Sequence, residues 1–123
     1  MTVDTHPAAE LLANGGYGCI VIPRALFGED ERRFTEAIVR SVERLEPATT
    51  PLRRAVYRTL ARLADAKVRI TPQAFVLGLL LAAAKINGDK VETHPRDLAK
   101  EVGVRYSTLL KVRKAAMAEM ALV

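Results

Sequence analysis

The chain has 123 residues, half of them hydrophobic and 27% charged, with a formal net charge of +5 and one cysteine. That length supports a single domain whose core needs neither metal nor disulfide, and the lone Cys19 excludes an internal disulfide and suits a reducing compartment. The uncharged stretch over residues 71–84 is shorter than the roughly 20 residues a membrane-spanning helix requires.

With no basic segment followed by an apolar one at the N-terminus, the expectation is a soluble protein without membrane partners. It would be cytoplasmic and nucleoid-associated, or nuclear if the source is eukaryotic. Charge is unevenly spread. Residues 1–50 carry five Lys/Arg against eight Asp/Glu, whereas residues 51–123 carry fourteen against six, a net of +8. A polyanion-binding surface requires such a concentration of cations, although basic side chains also solubilise a helical bundle.

Residues 1–14 mix polar residues with a short apolar patch at Ala8, Ala9, Leu11 and Leu12, and read as an arm or one helical turn. Gly15, Gly16 and Gly18 lead into Cys19-Ile20-Val21-Ile22, a short strand or extended segment stopped by Pro23. The text NGGYGCIV resembles the glycine-rich loop of a protein kinase. The strand lysine, catalytic-loop aspartate and Asp-Phe-Gly that accompany that loop are missing, so a turn before a strand is the better reading. Residues 1–28 therefore form an N-terminal arm with a Gly-rich turn and a short strand, and residues 29–123 form a helical domain.

The first long helix is expected over residues 29–45. Glu29, Asp30 and Glu31 suit its positive end, and Phe34, Ala37, Ile38, Ser41, Val42 and Leu45 recur at helical steps. A second helix runs from Pro51 to about Ala66, with Val56, Leu60, Leu63 and Ala64 as its apolar stripe. Arg54, Arg58 and Arg62 stand at four-residue steps on another face and, with Arg53 beside them, make a basic ridge. Such a ridge tracks a phosphate backbone or an acidic partner, or is the solvated side of an amphipathic helix. Thr71 caps a third helix, Pro72 opens it, and AFVLGLLLAAA is apolar on every side, which requires neighbours all round. Gly78, Ala82 and Ala83 permit close approach, and Asn87 or Gly88 suits a left-handed cap.

Residues 93–117, THPRDLAKEVGVRYSTLLKVRKAAM, read as two short helices joined by a tight turn. Thr93 or His94 caps the first, and Pro95 sits where its missing N–H costs nothing. Leu98, Val102, Val104, Leu109 and Val112 are spaced to fill the angle between the helices, Ala99 is small at the crossing, and Gly103 tolerates positive φ. This is the pattern of a DNA-binding helix-turn-helix, which an ordinary packed helical hairpin shares.

The fold class expected is all-α: a five-helix bundle with a central buried helix over about 71–86, a C-terminal helix-turn-helix and a short N-terminal extended segment. Taken over residues 34–117, this order resembles a single cyclin-like repeat of the transcription factor B family. The text carrying the resemblance is ITPQAFVLGLLLAAAKINGDKVETHPRDLAKEVGVRYSTLLKVRKAAM. Family members carry two repeats and a zinc ribbon; one repeat and one cysteine here depart from that pattern. The resemblance implies double-stranded DNA as partner, read by a helix-turn-helix, with transcription machinery proteins as further partners. Cyclin-like repeats also serve as protein-interaction modules without DNA contact.

On the DNA reading, Arg105, Tyr106, Ser107, Thr108 and Lys111 face base edges, because the start of a recognition helix enters the major groove. Lys100, Arg113 and Lys114 meet phosphates, and Leu110 is apolar among them. No nucleophile–base pair, phosphate-binding loop or metal-ligand cluster is visible, so no catalytic site, metal or cofactor is expected.

Overall fold

The apolar run of the third expected helix forms the centre of the structure. A computed structural model describes residues 19–20 and 50–121 of the chain. In order these are strand β1 (Cys19–Ile20), helices α1 (Thr50–Asp65) and α2 (Pro72–Asn87), strand β2 (Lys90–Val91), and helices α3 (Pro95–Val102) and α4 (Tyr106–Met120). The described chain is thus mostly helical, with four helices. The helix expected over residues 29–45, and the arm apart from β1, lie outside the described residues. No helix among the described residues is long and apolar enough to cross a membrane.

Local chemistry sets the bounds of α2. The Thr71 hydroxyl oxygen accepts a hydrogen bond from the Ala74 N–H at 3.2 Å, satisfying one donor at the helix start. At the far end Gly88 adopts φ 76°. There the Gly88 and Asp89 N–H groups donate to the Lys85 and Ala84 carbonyls at 3.2 and 2.7 Å, closing the last turn. Between these ends every residue from Ala74 to Ala84 is buried.

α1 packs on α4, the last helix, and buries Ala55, Val56, Thr59 and Leu63, while Leu60 is half-buried. The stripe expected from sequence named Ala64, which is exposed, and omitted Thr59, which is fully buried. Thr59 enters the core because its hydroxyl donates to the Ala55 carbonyl one turn back at 2.7 Å, leaving no unsatisfied donor. α1 ends with the Val68 N–H bonded to the Leu63 carbonyl and the Lys67 N–H to the Ala64 carbonyl, both at 3.0 Å. This closure puts Lys67 at φ 55°, the described non-glycine residue with positive φ. A side chain there is strained by roughly 1 kcal/mol, and Lys67 is exposed. Lys67→Gly should therefore raise stability by about 0.5 kcal/mol, after allowing for the greater freedom of glycine in the unfolded chain. Urea denaturation of the two proteins checks this.

Beyond α2, β2 pairs in parallel with β1, Cys19 opposite Lys90 and Ile20 opposite Val91. The strand expected in the arm is thereby present over two residues, laid beside the α2–α3 connection. His94 caps α3, its Nδ1 accepting from the Arg96 N–H at 3.1 Å, and Pro95 follows in the first turn. Gly103 ends α3 at φ 83°, with its own N–H and that of Val104 donating to the Ala99 carbonyl at 2.9 Å. Residues 103–105 then turn the chain into α4.

α4 buries Leu109, Val112, Ala115, Ala116, Glu119 and Met120 against α1 and α2. It lies hard against Gly78 of α2: a Cβ at that position would stand 2.3 Å from Val112 Cγ1 and 2.7 Å from Val112 Cβ. Leu98 and Ala99 of α3 are buried in the same core, while Val102 and Val104 pack at its edge.

Candidate functional site

Burial of one side of α4 fixes what the other side presents. Ser107, Lys111, Lys114 and Ala118 are exposed, and their spacing of four, three and four residues aligns them along one face. Arg105, the residue preceding the helix, is exposed at the same end. Lys100 is exposed on α3. Among the described residues none of Lys100, Arg105, Lys111 and Lys114 has a carboxylate partner. The single acidic residue of α4, Glu119, is buried on the opposite side, turned to Arg62 of α1. The outward face of α4 is therefore cationic and carries no carboxylate.

The other expected contact residues are placed differently. Tyr106 is half-buried at the edge of the core, and the Arg96 guanidinium of α3 lies 5.2 Å from its ring centroid. This cation–π contact steadies an exposed arginine beside the first turn of α4. Thr108 is half-buried on one flank of α4, where it borders a depression shared with the start of α2. Arg113 is half-buried on the opposite flank and lines a second depression, of about 350 Å³, with Lys85, Lys90 and Asp89. It is separate from the Lys111–Lys114 face because two residues rotate a helix by roughly 200°. Leu110 is half-buried alongside the cationic face.

The α1 ridge is also divided. Arg54 and Arg58 are exposed, whereas the Arg53 side chain lies outside what the structure describes. Arg62 donates from Nη2 and Nε to Glu119 Oε1, at 2.8 and 3.2 Å. The Arg62 side chain is 52% exposed and that of Glu119 only 10%. Arg62 is thus a tie between α1 and α4. Arg62→Leu would leave the Glu119 carboxylate sheltered without its cation. Because water reaches the arginine side, the expected loss of stability is about 1–3 kcal/mol, below that of a fully buried pair. Converting both residues to leucine should recover most of it, which a double-mutant cycle in urea measures.

Two functional candidates were invisible to sequence reading. Arg96 meets Tyr106 across the turn between two helices, at a separation that no helical or strand period marks. Arg69 sits in the α1–α2 connection, yet it borders the same depression as Arg105. No three His, Cys, Asp or Glu side chains among the described residues are grouped to hold a metal ion. Comparison of the chain with protein-family models, with curated proteins and with solved structures finds no match.

Proposed function

We propose that this protein binds double-stranded DNA, with α3, the turn at residues 103–105 and α4 acting as a helix-turn-helix. The observation that carries this reading is the outward face of α4, cationic and free of carboxylates, on a helix whose opposite face is locked into the core. A helix held so firmly presents its exposed side chains in a fixed register, as reading a groove requires. In this arrangement Ser107 and Lys111 reach base edges from the first turns of α4. Lys100, Lys114 and Arg96 meet phosphates, and Tyr106 holds Arg96 in place instead of touching a base. The resemblance to a transcription factor B repeat agrees with a role in transcription.

A protein-interaction module is the second reading, favoured by Leu110. Its half-exposed apolar side chain flanks the cationic face, and an interface core would cover it.

Fluorescence anisotropy with random-sequence duplex DNA across a salt series tests the proposal. Three phosphate contacts should give a log–log slope of about −3. Absence of binding at low salt would remove the DNA reading and leave the interaction module.

A further inference from the structure

The first turns of α2 and α4 border one concavity. Ala74 and Thr108 line it together, and one turn further on Gly78 meets Val112, so the two helices run in the same sense here and begin at the same end of the bundle. The depression between them has a volume of about 410 Å³. Arg69 and Thr71 lie on the α2 side, Arg105 and Thr108 on the α4 side, with Ala74 and Val104 supplying apolar wall. Among the described residues no acidic one lines it.

Both arginines are exposed, and neither has a carboxylate partner among the described residues. Two like charges on one concave surface repel unless an anion stands between them. The hydroxyls fit the same role. Thr71 Oγ1 accepts from the Ala74 N–H, which leaves its O–H free to donate. No protein group bonds the Thr108 hydroxyl among the described residues.

We propose that this depression binds a phosphoryl group, with Arg69 and Arg105 as its two forks and Thr71 and Thr108 as hydroxyl donors. Planar guanidiniums match the paired oxygens of a phosphate, and hydroxyls complete the donor set where the arginines do not reach. The lack of any capping side chain or acidic residue in the first turn of α4 adds to the attraction without being needed for it. The phosphate comes either from a DNA backbone or from a free phosphate compound. In the first case the site deepens the DNA reading, taking Arg105 from the bases to the backbone. In the second it stands without that reading.

The experiment has two arms, both on the full chain. In the first, inorganic phosphate is titrated at constant ionic strength, with chloride making up the balance, while the amide resonances of Thr71, Arg105 and Thr108 are followed. Saturable millimolar shifts confined to these residues are expected. Arg69→Gln and Arg105→Gln should each weaken binding about five- to tenfold, the loss of one charge-assisted contact. Lys85→Gln, in the other depression, should change nothing. In the second arm the salt dependence of duplex binding is compared for the native chain and Arg69→Gln, where loss of one phosphate contact lowers the slope by about 1. Both positions are exposed, and a thermal melt of each variant confirms that it is folded.

Phosphate binding without DNA binding would establish a site for a small phosphate compound and defeat the DNA reading alone. A reduced slope without saturable phosphate shifts would establish a backbone-phosphate site. If phosphate gives no saturable shift, or shifts Lys85, Lys90 and Arg113 equally, and Arg69→Gln leaves duplex binding unaltered, the proposal is overturned whether or not the protein binds DNA.

Discussion

Gly78→Val should unfold the domain under conditions where the native chain is stable. The α2–α4 crossing leaves no room for a side chain at this position: even a Cβ would fall 2.3 Å from Val112 Cγ1 and 3.2 Å from the Arg113 backbone nitrogen. Val112 is itself fully buried and cannot swing into solvent. The backbone nitrogen moves only if α4 moves. Gly78→Ala should be tolerated at a cost of about 1–2 kcal/mol, because the overpacking penalty of roughly 1–3 kcal/mol is offset by the higher helix propensity of alanine. Valine adds two further methyl groups in the same gap and loses that offset. Its expected cost, above roughly 4 kcal/mol, is most of the stability of a small domain. Circular dichroism melts of the three proteins give the order. Val112→Ala in the Gly78→Ala background should restore only part of the loss, since its Cβ would still stand 2.7 Å away. A folded Gly78→Val protein with a native melting curve would show that the two helices are not packed as described.

Lys111→Glu combined with Lys114→Glu should lower duplex affinity by about a hundredfold or more near 0.1 M salt. Each substitution removes a cation from the outward face of α4 and places a like charge against the phosphates, so both the contact and its counterion release are lost. Both lysines are exposed and without carboxylate partners among the described residues, so the melting temperature should hardly move. That separation of binding from folding gives the measurement its force. The matched control is Arg54→Glu with Arg58→Glu on α1. Binding that follows the α1 pair and ignores the α4 pair would place the polyanion surface on α1 and deprive α4 of its role. Binding lost with Lys111 and Lys114 alone would make the outward face of α4 the reading surface.

The features legible from sequence were those governed by neighbours in the chain. Thr71, His94, Pro95, Gly88 and Gly103 mark helix ends because capping and positive-φ chemistry act over three to five residues, and the structure places each where its type suggests. The burial of α2 was equally plain, since a helix apolar on all sides can exist only among others. Sequence also located the basic excess in residues 51–123.

Tertiary structure decided which of those cations are available. Arg62 looked equivalent to Arg54 and Arg58 at helical spacing, yet it pairs with Glu119, 57 residues away. Arg113 looked equivalent to Lys114 as a phosphate contact, yet the packing of α4 turns it, half-buried, to the other flank. The same packing set Thr59 inward and Ala64 outward, joined Arg96 to Tyr106, and brought Arg69 to Arg105. Caps and apolar runs depend on local torsions and on hydration, which a short window of residues contains. The azimuth of a helix depends on how its ridges seat against another helix, and that is a property of two distant segments together.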